Sequence, residues 1–430
     1  MTFIKQNLFL VILAAVTLAG GGALLLLAHS GDLDDELAAR AQVSDDLDAA
    51  RKQGKLYTRE FIEAQTNAAE TDANNVAKAR RDMVDLNRRN FQVLKLKPVG
   101  KSVDIPAFPF NAQQYDENAL YFPFTKTYRE EIRNLRESLK PTAAPTQADI
   151  EAQAAMFAPP SERAAGERDA SPGRSFSEET RRQALEYLRM NNARKGCVYV
   201  EDDAFTVVFP EPVGTAQPDK LWAAMLSLWI QGDIVAAIRQ TNDELLAKRG
   251  VRDPGVPDSA VKHLVNIRVG GYAGTTSKFT ESPSAEPAGE AGDLTQAGCT
   301  KEYDLVAYNF TVVMTAEHLL ALQQNLMRRN LHTIVKVEMT APQTKPITPG
   351  ATAGAAIAGD ACYYGPEAVF EVKLYGQLLL LTDWERGLWD AQEKRWMQDF
   401  PPLMPKETLS TLPQAALRPE DAERLRGGKD

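Results

Sequence analysis

Only three cysteines and four histidines occur in this chain of 430 residues. No two cysteines stand at CxxC spacing, which excludes a disulfide-dense scaffold and a thiolate zinc site. The histidines are scattered, which argues against a metal site built from imidazoles. An excess of basic residues is also missing: 49 Lys and Arg stand against 58 Asp and Glu, a net charge of −9. The chain therefore lacks the basic face of a nucleic-acid binder. Glycine (27) and proline (25) are at the ordinary share of folded proteins, which excludes collagen and wholesale disorder.

Catalytic motifs are absent as well. No GxSxG, HExxH or GxGxxG spacing is present. Gly270-Gly271-Tyr272-Ala273-Gly274 follows a strand pattern, but no Lys-Ser/Thr pair or helix pattern succeeds it, and it reads as a loop. His263 lies on the apolar side of an alternating run and reads as a satisfied core histidine. Glu317-His318 reads as a solvated helix start, and Trp222 with Trp229, seven apart, as helix core. No catalytic, cofactor-binding or metal-ligating residue is expected.

What the chain does have is an apolar run. Gln6 to Ala28 carries no charge and, at about 1.5 Å per residue, reaches roughly 34 Å, enough to cross a bilayer. The run exceeds a signal-peptide h-region and no clear A-x-A site follows, so a retained anchor is expected. Lys5 precedes it and Asp32, Asp34, Asp35 and Glu36 follow, which predicts a cytoplasmic N-terminus and an exported bulk. Residues 1–30 are thus expected to be a cytoplasmic tail and transmembrane helix of an inner-membrane, single-pass protein, its bulk periplasmic.

From Leu33 to Asn90 there is no proline and one glycine, Gly54, in a composition rich in Ala, Asp, Glu, Arg and Gln. This predicts a long helical stalk over 31–97. Ile62, Ala69, Val76 and Met83 recur every seven residues, followed at the d-like places by Gln65, Asp72, Ala79 and Leu86. That is a thin coiled-coil seam, with Ile62, Val76 and Met83 as its candidate pairing residues; a single solvated helix is the alternative.

Residues 98–175 read as a Pro- and aromatic-rich extended stretch, a short helix Lys126–Leu139 and a flexible linker from Pro141. Over 176–275 a first αβ unit is expected: a helix Ser177–Asn192, short strands Cys197–Val200 and Phe205–Phe209, a long helix from Pro218 to Lys248, and a strand Val261–Val269. A loop covers 276–302. Over 303–383 the pattern is β-α-β-β: Val306–Met314 alternates, a helix follows Thr315, Val335–Met339 alternates, and a last strand starts at Phe370. The first unit looks like a partial repeat of this plan. The fold class is α+β: two small ferredoxin-like αβ units behind an anchor and a stalk. Residues 384–430 read as a Trp-containing extension with a polar tail from Pro401.

In this layout the chain resembles PilO/PilN-type proteins of type IV pilus assembly and GspM/GspL-type proteins of type II secretion. More closely it resembles the pilus-associated membrane proteins of Akkermansia and its relatives. The residues carrying the likeness are the helix Tyr-Arg-Glu-Glu-Ile-Arg-Asn-Leu-Arg-Glu-Ser-Leu ending at Leu139, the approach Tyr364-Gly365-Pro366-Glu367-Ala368-Val369-Phe370, and the helix-then-strand from Trp229 to Val269. The resemblance implies a scaffold without catalytic residues or cofactors. Its partners would be itself or other membrane-anchored platform subunits, with the bilayer reached through one helix and no nucleic acid. A stalk-displayed enzyme or ligand-binding module, with a site between the two units, is the alternative. Cys299 and Cys362 lie in long loops of an exported region, so a disulfide between them is a candidate.

Overall fold

A long run without helix breakers gives the first regular element described in the computed structural model. The structure describes residues 40–46, 49, 59–97, 105–109, 117–159, 176–210, 217–273, 275, 298–342, 346–347, 357–390, 393 and 395–427. The expected span Gln6–Ala28 lies outside them. Residues fall into two units, Met1–Ala79 and Arg80–Asp430.

In the first unit, 40–46 are helical and helix α1 (Arg59–Asn90) begins. Every residue from Arg59 to Asp82 is exposed, Ile62 at 56% and Val76 at 68%. The same helix ends in the second unit, where Val84, Asn87 and the following Phe91 are buried. The last part of the stalk expected to reach 97 therefore belongs to the second unit. Phe91 sets its ring against Trp229 and Trp384, with centroids 5.2 and 5.4 Å away, and the Asn87 side-chain oxygen accepts the Leu381 N–H.

The second unit is built on one six-stranded mixed sheet. After a two-residue pair, β1 (Lys95–Leu96) with β2 (Ile105–Pro106), comes helix α2 (Glu117–Ser138). It starts earlier than the sequence predicts and takes in Pro123. Tyr121, Phe124 and Tyr128, spaced three and four apart, are all buried on one face, and that burial outweighs the missing proline N–H in the first turns.

Within the stretch expected to be a flexible linker, residues 141–157 include regular structure. Strand β3 (Pro141–Thr142) joins the sheet, and helix α3 (Gln147–Phe157) follows a capping box between Thr146 and Asp149. Ile150 and Ala154 of α3 pack on Ala184 and Leu185 of helix α4 (Glu178–Lys195). Strand β4 (Val198–Val200) comes next. Phe205–Phe209, expected to be a strand, is irregular. Its polar backbone is satisfied by side chains instead: Gln231 accepts the Thr206 N–H at 2.8 Å and donates to its carbonyl at 3.0 Å, and the Tyr128 hydroxyl accepts the Val208 N–H.

Helix α5 (Pro218–Arg249) starts with proline in its first turn and stops at Gly250, whose φ of 65° is the left-handed cap. It is long and apolar enough to cross a membrane, yet its most apolar stretch is 83% buried within the protein. It is the core helix. Strands β5 (Val261–Tyr272) and β6 (Tyr303–Met314) follow, then helix α6 (Leu319–Met327), β7 (His332–Thr340), the small pair β8 (Pro346–Ile347) and β9 (Ile357–Asp360), and β10 (Phe370–Leu381).

The sheet order is β3-β4-β5-β6-β10-β7. The first three strands run parallel, and β5-β6, β6-β10 and β10-β7 pair antiparallel. The expected β-α-β-β element is present, with β10 inserted between β6 and β7. The two expected units are not separate, however: β5 pairs with β6 from Val261↔Met314 to Tyr272↔Val306, which closes the sheet into one layer. A strand pattern fixes which face is buried but not which neighbour lies beside it. Helix α7 (Thr382–Glu385), the pair β11 (Trp389–Asp390) and β12 (Arg395–Trp396), and helices α8 (Lys406–Leu409) and α9 (Pro419–Leu425) complete the chain. The tail expected to be polar from Pro401 is packed: Met404, Leu409 and Leu412 join the main core.

Candidate functional site: a buried ion network and an exposed helix stripe

The largest concentration of charge inside the protein sits where β10 ends. Arg386 and Asp421 are wholly buried, as are Asp304 and Glu385. Arg386 grips Asp304 near the start of β6 through two guanidinium nitrogens, Nε at 2.8 Å, and donates to Asp421 at 3.2 Å and to the Ala416 carbonyl at 2.8 Å. Arg418 holds both oxygens of Asp421, at 3.1 and 3.0 Å, and reaches Asp383 at 3.1 Å. Arg80, within α1, also binds Asp383, through Nη2 at 2.6 Å. Three arginines thus meet three aspartates, and every guanidinium is shared or forked.

Glu385 is the odd carboxyl. Burial, and then the neighbouring Asp304, raise its pKa well above the ordinary carboxyl range. Its Oε2 accepts from the Tyr272 hydroxyl at 3.0 Å, and the Trp222 indole N–H donates to the same hydroxyl at 2.8 Å. Burial works against the Arg386 charge, but Asp304 overrides it and holds the pKa above the usual arginine value. Burial likewise opposes the Asp421 charge, and the Arg418 hydrogen bonds overcome it to lower its pKa. Backbone joins in: the Leu403 and Met404 N–H groups donate to the Glu385 carbonyl. The network pins the C-terminal segment to the sheet. Apart from Arg80, whose side chain is 59% exposed, its members are buried and spend their charges on one another.

Two histidines are held in similar chains. His332 Nδ1 lies 2.9 Å from the Tyr308 hydroxyl and Nε2 lies 3.0 Å from Asp233, tying α5 to the sheet. Burial, then Asp233, raises the Tyr308 pKa. His263 is buried between Tyr364, at 2.9 Å, and Glu201, at 3.2 Å. His318 contacts Thr315 at 3.0 Å at the start of the short 3-10 turn before α6. Among the described residues no group of three or more His, Cys, Asp or Glu could hold a metal.

The residues singled out in the sequence fall in different places. Trp222 and Trp229 are core, joined by Trp384 and Phe91. Gly270 and Gly271 extend β5 instead of forming a loop. Ile62 and Val76 are exposed on α1, and Met83 lies further along the same helix. Cys299 approaches the Ala273 and Leu305 carbonyls, beyond the C-terminal end of β5, whereas Cys362 packs with Ala193, Tyr199 and Val256 near its N-terminal end. The candidate disulfide is not formed, since the twelve residues of β5 separate the two ends. The ion network has no local sequence signal: Asp304 and Arg386 are 82 positions apart. Only the Arg418-x-x-Asp421 spacing could have hinted at it.

No family model matches the chain, and no curated protein matches it. Among solved structures, a crystal structure from Akkermansia muciniphila is similar at 8% identity, covering 60% of this chain and 96% of that one. Its TM-score is 0.23, a likeness too slight to carry fold or function.

Proposed function

We propose that this protein is a membrane-anchored structural subunit of an envelope assembly platform, of the type IV pilus or type II secretion kind, and works by protein–protein docking. The anchor is Gln6–Ala28, with the folded unit outside the cytoplasm. The observation carrying the reading is the stripe on α1. Ile62 and Val76 are more than half exposed on a wholly solvated helix stretch whose one other large apolar side chain, Phe61, is 46% exposed. A solitary helix gains nothing from apolar residues at heptad spacing, whereas a paired one fills holes with them. Equivalent or related stalks are the partners. The strands β5, β6, β7 and β10 with α5 and α6 form, on this reading, a single ferredoxin-like unit in permuted order, which serves as a rigid docking block and not as an enzyme.

Replacing both Ile62 and Val76 with Asp places charge in any seam while leaving a lone helix nearly unaffected. In native membranes, Cys introduced at Ile62 or Val76 is expected to crosslink between stalks, and the double Asp variant to lose association. Absence of crosslinks together with unchanged association would reduce α1 to a spacer.

A further inference from the structure

The two edges of the six-stranded sheet differ. At one edge β3 is two residues long and starts with Pro141, which has no N–H to offer. At the other, β7 runs for nine residues, His-Thr-Ile-Val-Lys-Val-Glu-Met-Thr, without proline or glycine. Its inner side pairs with β10 from His332↔Leu378 to Thr340↔Glu371, with a bulge at Val335 and a regular register from Lys336 to Thr340, and among the described residues no strand pairs with its outer side. Antiparallel pairing engages alternate backbone groups, so the other set points outward along a strand rich in β-branched residues.

This edge is complementary to itself. When a second copy is laid antiparallel with the two-fold axis at Val337, Lys336 of each copy stands opposite Glu338 of the other. Val337 stands opposite itself, within the stretch Lys336 to Thr340 where the register is regular. Residues directly opposite share a face with their Cβ atoms about 5 Å apart. Lys336 and Glu338 already share a face with Tyr375: the Tyr375 hydroxyl donates to Glu338 at 3.2 Å, and the Lys336 ammonium sits 5.1 Å over the Tyr375 ring. Within one chain the two form an ion pair at 2.5 Å, so a second copy would extend it into a ring of four alternating charges. Moving the axis by one residue sets Lys336 against itself or Glu338 against itself, which like-charge repulsion disfavours. The charge order therefore selects both the partner and the register.

We propose that β7 is a homotypic interface, on which two copies of this chain pair antiparallel about Val337 and continue one sheet across both. The pairing is independent of the α1 stripe.

Co-capture of two differently tagged full-length chains tests it, with Ile62→Asp and Val76→Asp in every chain so that α1 cannot hold copies together. Lys336→Glu puts Glu opposite Glu338, and Glu338→Lys puts Lys opposite Lys336. Each variant paired with itself should be captured about tenfold less than the parent pair. Lys336→Glu mixed with Glu338→Lys should recover parent capture, because opposite charges face each other again at both positions. Such rescue cannot arise inside one chain, since each variant alone has lost its own ion pair. Equal capture in all combinations, no recovery on mixing, or no capture of the parent by itself would overturn the interface.

Discussion

Glu385 shows how one side chain can be read through its proton. Burial and Asp304 together raise the carboxyl's pKa well above its ordinary value in the folded chain. In the unfolded chain it ionises near the ordinary value of about 4.3. Between that value and the raised folded one, the native state holds a proton that the unfolded state has released, so the stability from this site falls as pH rises through the window. Glu385→Gln removes the titration while keeping an acceptor for Tyr272. The variant should therefore gain on the parent in melting temperature as pH is raised from about 4 to about 8. Thermal melts at a series of pH values check this, and a constant gap between the two would show that Glu385 is already ionised when folded. None of this was visible in the sequence, where Glu385 is one acid among many. A pKa follows from what the fold buries beside a group, and Asp304 and Tyr272 arrive from 81 and 113 positions away.

At the scale of elements, the capping box of α3 is the clearest case of local chemistry deciding structure. Thr146 accepts from the Asp149 N–H at 3.2 Å, and Asp149 accepts from the Thr146 N–H at 2.9 Å. The Thr146 hydroxyl also donates to the Asp149 carboxylate at 2.7 Å, and that bond, followed by the one from the Thr146 N–H, lowers the Asp149 pKa. Thr146→Ala should cost about 1 kcal/mol, read as faster amide hydrogen exchange across 147–157 with the sheet unchanged. Strong periodicity was legible elsewhere: the long helix from Pro218, the strand from Val261, and the strand–helix–strand–strand run from Tyr303 all lie where their patterns put them. Failures cluster where packing overrides local signals. Pro123 sits inside α2 because Tyr121, Phe124 and Tyr128 bury together, and Phe205–Phe209 is no strand because Gln231 and Tyr128 satisfy its backbone. Strand order was not legible at all, so one sheet read as two.

At the scale of the whole molecule, the C-terminal segment decides whether the second unit is complete without it. Composition marks Pro401 onward as a tail, since polar and charged residues dominate it. Its few apolar residues are nonetheless spent on the core, with Met404 and Leu409 wholly buried. Its charges are spent on the network: Asp421 answers Arg386 and Arg418, and Arg418 answers Asp383, which in turn holds Arg80 of α1. Removing residues 401–430 would leave Arg386 buried with Asp304 and Glu385 but without Asp421, and would strip Asp383 of one of its two arginines. Breaking a buried pair from one side costs about 3–5 kcal/mol, a large part of the roughly 5–15 kcal/mol that holds a typical domain. The lost apolar burial adds to this. A chain ended at Phe400 should therefore melt far below the full chain, bind a dye specific for exposed apolar surface, and lose protection at Asn87 and Phe91 as Arg80 is loosened. Asp421→Asn in the full chain should reproduce part of the drop with the apolar contacts intact, separating the ionic share from the packing share. A truncated chain melting like the full one would return the segment to the status of a tail, and the network with it to an ornament at the ends of two central strands.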